Sequence, residues 1–184
     1  MNKLIKLPLF LGVVGCLCGG VLSLTNYFTA EKIRKDEEAR ANAAYTAHFP
    51  NLAHRKEVTV NETLLDGGVV AKSYAYNDSN AYIGSIYTIS AIGFAGKQTP
   101  VKFTVSFANG KPHHYEELGH GESAEGAKFM TWLKGDNNGD RLSNLEAGKA
   151  ETGSTRTYKA VSLAVSTCLA DYLAEYTSIP AYTE

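Results

Sequence analysis

A short polar segment that could bind phosphate lies directly before the last amphipathic stretch of the chain, at residues 151–157 (ETGSTRT). If a helix begins there, its unpaired backbone N–H groups and its positive dipole end favour an anion, and the hydroxyl groups add donors. The alternative is an ordinary helix N-cap, because Ser and Thr are preferred at helix starts without any ligand. The residues at issue are Thr152, Gly153, Ser154 and Thr155.

A second polar stretch, residues 119–126 (GHGESAEG), follows a series of predicted strands and contains His120 and Glu122. A glycine-bearing loop held by a rigid scaffold is a frequent position for ligand-binding side chains. The alternative is a simple connection from strand to helix in which Ser123 is the N-cap. The sequence alone leaves both interpretations open.

The sequence offers candidates for two other kinds of site, a hydrolase triad and a metal site. The triad would combine a hydroxyl nucleophile, a base and an orienting acid: Ser154 or Thr155, His120 and Glu122. No nucleophile-elbow motif surrounds either hydroxyl. Residues 136–147 begin like a calcium loop but lack its glycine and its closing glutamate. We therefore expect neither catalytic residues nor a metal site.

The N-terminal segment predicts a membrane anchor. Lys3 and Lys6 are the only charged side chains before Glu31, and residues 7–24 are almost wholly apolar. About 18 to 22 helical residues cross the roughly 30 Å hydrocarbon core of a bilayer. The positive-inside rule then predicts a single-pass protein of the cell (inner) membrane with a cytoplasmic N-terminus and an extracytoplasmic domain. A lipid anchor at Cys16 and a cleaved secretory signal are alternatives, and both also place the remainder outside the cytoplasm.

We accordingly predict four regions along the 184 residues. They are a cytoplasmic N-terminus at 1–6, a transmembrane anchor at 7–28, a juxtamembrane helix or stalk at 29–50, and one exterior domain at 51–184. The stalk is rich in good helix formers and reads as a solvated spacer. Because 18 Lys+Arg balance 19 Asp+Glu, the chain lacks the basic excess of a nucleic-acid-binding protein.

The exterior region predicts a mainly antiparallel sheet with flanking helices. Runs of β-branched and aromatic residues alternate with turn signals, and Asn109-Gly110 predicts a hairpin. Because strands come first and amphipathic helices follow, the expected class is α+β. The expected strands are 57–63, 69–76, 83–92, 101–107 and 112–116, the expected helices are 124–133 and 156–176, and a polar loop is expected at 135–148.

In their order and spacing these features resemble the FMN-binding domain of the G subunit of the Rnf ion-translocating oxidoreductase and of the C subunit of the sodium-pumping quinone reductase. Members of that family have an N-terminal membrane helix, a short stalk and one exterior domain. Their flavinylation motif, Asp-x-x-Ser/Thr-Gly-Ala-Ser/Thr, resembles residues 149–155 (KAETGST), which match its last four places except for Ser154 at the Ala position. Lys149 stands at the Asp position.

Two further stretches carry the resemblance. Residues 120–123 (HGES) resemble the first half of a His-x-Glu-Thr-Pro-Gly-x-Gly motif, whose second half is replaced here by residues 124–127 (AEGA). Residues 82–84 (YIG) look like the Tyr-x-Gly of an early family strand. The resemblance therefore extends from the anchor to the last helix.

The resemblance implies FMN joined covalently through its phosphate to Thr155. It also implies that the cofactor site includes Thr152, Gly153, Ser154, His120, Glu122 and Ser123. The implied function is electron transport by a membrane-anchored subunit, matured by a flavin transferase and partnered by the other subunits of a Rnf-like complex. Alternatives are a stand-alone flavinylated extracellular electron carrier and a non-redox binding or structural module of the cell envelope.

Overall fold

The structure is a computed structural model that describes residues 45–145 and 155–183. Five antiparallel strands form one sheet in the order β1-β2-β3-β4-β5, so each strand pairs with its neighbour in sequence. This sheet with flanking helices confirms the α+β prediction. The strands are β1 (His54–Val58), β2 (Val69–Tyr76), β3 (Tyr82–Ala91), β4 (Val101–Ala108) and β5 (Lys111–Gly119), and the helices are α1 (Glu62–Asp66), α2 (Ala124–Leu133), α3 (Asn138–Ser143) and α4 (Thr155–Glu175).

The predicted anchor at 7–28 and most of the predicted stalk at 29–50 lie outside the described residues. Within the described ranges, no helix is both long enough and apolar enough to cross a membrane.

The main core lies between one face of the sheet and helices α2 and α4. In β4 the core side chains occupy alternate positions, because successive strand residues point to opposite faces. Helix α4 contributes residues three or four positions apart, as expected for one buried helical stripe. The core members from these elements are Phe103, Val105 and Phe107 of β4, Phe129, Met130 and Leu133 of α2, and Val161, Val165, Cys168 and Tyr172 of α4.

Residues 45–52 cover part of the opposite face of the sheet. The buried Phe49 side chain packs with Ala75, Ile86 and Ala108. A Cβ atom at Gly84 would lie 2.4 Å from Cζ of Phe49, so only glycine allows the ring to approach β3 this closely. The imidazole of His48 is fully buried between the hydroxyl groups of Thr104 and Ser106. The end of the predicted stalk is therefore packed against the sheet rather than solvated.

The predicted bounds of the first strand, 57–63, are wrong at both ends. In the structure this strand, β1, begins at His54 and ends at Val58, and residues 62–63 are helical. The side chain of Asn61 accepts a hydrogen bond of 2.9 Å from the backbone N–H of Leu64, which caps a new helix at that point. N-capping by Asn thus overrides the β-branched composition of the segment.

The predicted polar loop at 135–148 contains the short helix α3. Its Asn138 side chain accepts a bond of 3.1 Å from the backbone N–H of Tyr115 and donates one of 3.0 Å to the carbonyl of the same residue. A side-chain amide therefore satisfies backbone groups of β5, which is one of the two edge strands of the sheet. The predicted hairpin is confirmed: Asn109 and Gly110 have φ values of 53° and 79°, the conformation that favours Asn-Gly.

Candidate functional site

The structure brings the loop after β5 to the start of helix α4. The hydroxyl of Thr157 donates a hydrogen bond of 2.7 Å to Oε2 of Glu122, which is 35 residues earlier in the sequence. Thr157 is fully buried, whereas Glu122 is half-buried. A hydrogen bond to a carboxylate is among the stronger polar contacts in proteins. This contact holds the predicted His-x-Glu loop against the first turn of the helix.

A third segment, residues 92–96 (IGFAG) after β3, completes the junction. The backbone N–H of Phe94 donates to the hydroxyl of Thr157 at 3.3 Å, and that of Ala95 donates to Oε1 of Glu122 at 3.5 Å. A Cβ atom at Gly93 would lie 2.1 Å from Oε1 of Glu122. Any larger residue at this position would therefore displace the carboxylate.

Glycine is needed on the other side of the carboxylate as well. A Cβ atom at Gly126, in helix α2, would lie 2.8 Å from both Cβ and Oε2 of Glu122. Ser123 is the N-cap residue of α2, as one interpretation of the loop predicts, but its side chain makes no capping hydrogen bond. The junction is therefore closely packed around Glu122.

The imidazole of His120 lies in the same loop, beside Glu117 of β5. Its Nδ1 accepts a hydrogen bond of 3.2 Å from the backbone N–H of Glu122, and its Nε2 lies 3.6 Å from Oε1 of Glu117. Lys134 contacts the other oxygen of that carboxylate at 3.8 Å. The Glu122 carboxylate accepts a hydrogen bond from Thr157 and not from His120, so these two side chains are not paired as a hydrolase triad would require.

Thr155 is the first described residue of helix α4, and it is exposed. The first turn of the helix contains no acidic residue and includes Arg156. The start of α4 therefore presents a hydroxyl group, a cation and the N-terminal end of a 21-residue helix. Together these groups favour the binding of an anionic group. Thr152, Gly153 and Ser154 lie outside the described residues.

Gly93, Phe94 and Ala95 contribute to the junction around Glu122 but were not among the predicted site residues. Two glycines within residues 92–96 were the available signal, because paired glycines between strands can mark a close approach of backbone to another group. Within residues 45–145 and 155–183, no group of three or more His, Cys, Asp or Glu side chains is arranged to hold a metal ion. Of the predicted site residues, Glu122 contacts the first turn of α4, through Thr157, while His120 and Ser123 lie beside it in the same loop.

No protein-family model, curated protein or solved structure matches this chain.

Proposed function

We propose that this chain is a membrane-anchored flavoprotein subunit that carries electrons, with FMN joined through its phosphate to Thr155. The observation that supports the proposal most is the hydrogen bond between Thr157 and Glu122. It joins the loop at 120–123, which resembles one motif of the FMN-binding family, to the first turn of α4, which directly follows the last residue of the other motif, Thr155.

The difference in exposure between two neighbouring threonines supports Thr155 as the attachment residue. Thr155 is exposed, whereas Thr157 is fully buried and already bonded to Glu122. A transferase must reach the hydroxyl oxygen that it modifies. The first backbone N–H groups of a helix have no partner within the helix, and they favour the phosphate once it is attached.

FMN, when bound, supplies the redox chemistry, and the chain supplies position and retention. The start of α4 holds the phosphate, while Glu122 fixes the neighbouring loop through Thr157. A covalent bond suits a domain outside the cytoplasm, where a diffusible cofactor would be lost. The anchor at 7–28 keeps the cofactor near membrane partners, which we propose are the other subunits of a Rnf-like complex.

The test is covalent labelling of the full-length chain produced together with a flavin transferase. We expect flavin fluorescence on a denaturing gel and a mass increase of one FMN minus water. Thr155→Ala should abolish both signals. The matched control is Thr167→Ala, because Thr167 lies in the same helix and its hydroxyl donates to the Leu163 carbonyl. An unlabelled wild-type chain would contradict the proposal and favour a non-redox envelope module.

Protease added to spheroplasts tests the proposed orientation separately. The exterior domain should be digested, while residues 1–6 should be protected. Protection of peptides that contain Trp132 would contradict an extracytoplasmic domain, whether or not the chain carries flavin.

A further inference from the structure

Phe94 exposes a large apolar side chain at the edge of the candidate site. Its side chain is 63% exposed, although its own backbone N–H is bonded to Thr157. A single exposed apolar residue on a protein surface is common. Phe94 is distinguished by its position, since its backbone is fixed to a helix residue two positions after Thr155.

The interior of the junction leaves no space for a large planar group beside the Glu122 carboxylate. Even a methyl group added at Gly93 or Gly126 would lie within 2.8 Å of this side chain. A ring system joined to Thr155 must therefore lie outside the junction. Phe94 is a large exposed residue whose backbone lies at this junction, and the neighbouring Ile92 is 51% exposed.

We propose that the Phe94 ring is the surface against which the flavin ring of FMN lies. This inference rests on the proposed function, because the flavin is placed there by its attachment to Thr155. The ribityl chain separates the flavin ring from the phosphate, so the ring contacts residues around the attachment oxygen rather than the oxygen itself. Two aromatic systems prefer an offset-stacked arrangement, and Phe94 offers an exposed face for it. The flavin then remains at the protein surface, accessible to an electron-transfer partner.

The experiment uses the full-length, FMN-labelled chain and three variants: Phe94→Trp, Phe94→Ala and Leu173→Trp. An indole in contact with an excited flavin quenches its fluorescence by electron transfer. Phe94→Trp should therefore cause a several-fold loss of flavin fluorescence at equal labelling. Leu173→Trp is the matched control. Leu173 is an exposed apolar residue of helix α4, and it lies about 27 Å from Thr155 along the helix axis.

Phe94→Ala should free the flavin ring, and quenching by added iodide should then increase. Loss of an aromatic contact lowers the ratio of stacked to free states by roughly 2- to 10-fold, and the iodide quenching constant should rise as the stacked population falls. Mass spectrometry gives the labelling of each variant first. A wild-type chain without FMN overturns the proposed function and this inference together. A labelled Phe94→Trp chain with fluorescence equal to the wild type overturns only this inference.

Discussion

Helix α4 makes polar contacts with the rest of the domain near each of its ends, and the two sets of contacts have different surroundings. Near its start, Thr157 donates to the half-buried Glu122, and the exposed Thr155 is two residues away. Near its end, Asp171 accepts a bond of 2.5 Å from the ammonium group of Lys72, whose side chain is only 3% exposed.

The contact at the end of the helix is an enclosed network. The Tyr87 hydroxyl donates to Oδ2 of Asp171 at 2.8 Å, and Glu175 also contacts Lys72. Burial, followed by the hydrogen bond to Asp171, raises the pKa of Tyr87, so this phenol stays protonated and donates. A buried cation requires such partners, and the network therefore fixes the position of α4 on β2 and β3.

The two ends of α4 show that a polar contact can fix a helix on the sheet or hold a neighbouring loop, according to what lies next to it. At the Lys72 end the charged groups Lys72, Asp171 and Glu175 are paired inside the protein. At the Thr157 end the contact holds a loop in place and leaves the neighbouring Thr155 exposed. Variants that separate stability from FMN labelling test this difference.

The largest effect should come from Asp171→Asn. This change removes one of the two carboxylate charges beside Lys72 and leaves a buried cation with Glu175 alone. Breaking one partner of a buried ion pair costs about 3 kcal/mol or more, so urea unfolding should show a loss of that size. Asp78→Asn, at an exposed turn, should change the free energy of unfolding by less than about 0.5 kcal/mol.

FMN labelling of the folded Asp171→Asn chain should equal that of the wild type. Loss of the label under conditions in which this variant stays folded would show that the contacts at the two ends of α4 do not act independently.

The free energy of unfolding should depend on pH because of His48, a second polar group that is buried in the fold. Burial, together with the neighbouring His114 and His113, lowers the pKa of His48 from 6.5 to about 3. Between these values the unfolded chain binds a proton that the folded chain does not bind, so stability falls as the pH decreases. The slope is at most about 1.4 kcal/mol per pH unit, which gives a loss of about 2 kcal/mol at pH 5.

His48→Gln keeps hydrogen-bonding groups near Thr104 and Ser106 but removes the titration. The difference between the unfolding free energies of the two proteins should therefore narrow as the pH falls from 6.5 towards 3. Parallel curves over this range would show that His48 is not held neutral in the folded protein.

Gly93→Ala should disturb the contact at the start of the helix. The added methyl group would lie 2.1 Å from Oε1 of Glu122 and 3.1 Å from the Thr157 hydroxyl. Overpacking of this kind costs about 1 to 2 kcal/mol, and we expect FMN labelling at Thr155 to decrease as well. Mass spectrometry and urea unfolding measure the two effects on the same sample.

Gly67→Ala is the matched control near the other end of α4. Its methyl group would lie 3.0 Å from the Thr167 side chain, which can move, and 3.3 Å from the Leu64 carbonyl oxygen. Labelling should be unchanged in this variant. Equal loss of label in both variants would mean that labelling reports general destabilisation rather than the geometry of the Glu122 junction.

The parts of the fold that could be predicted from the sequence are those that a local pattern specifies. Alternation in β4, the Asn-Gly hairpin and the spacing of apolar residues in α4 are local patterns, and the structure has these elements within a few residues of their predicted bounds. Helix α1 could not be predicted in the same way, because one capping side chain, Asn61, reversed the preference of its neighbours.

The candidate site was predictable only in part, for a similar reason. Local composition marked the His120 loop and the segment before α4 as polar, but left each with an ordinary structural interpretation. The contact between the His120 loop and the first turn of α4 joins residues 35 positions apart, and no local pattern in the sequence encodes such a contact. The approach of residues 92–96 was not expected at all, because it depends on how the end of β3 meets α4.

The smallest effect should come from Thr157→Val, which keeps the branched shape of the side chain and removes its hydroxyl. Oε2 of Glu122 then loses one donor, and the backbone N–H of Phe94 loses its acceptor. Because Glu122 is half-buried, water replaces part of what is lost, and the cost should be about 1 kcal/mol. Thr157→Ser should retain most of the stability. Labelling should persist in both variants, because neither adds atoms to the junction as Gly93→Ala does and the Thr155 hydroxyl is unchanged. Complete loss of label in Thr157→Val, together with a labelled Thr155→Ala chain, would move the attachment to Thr157 and would show that this buried contact opens during modification.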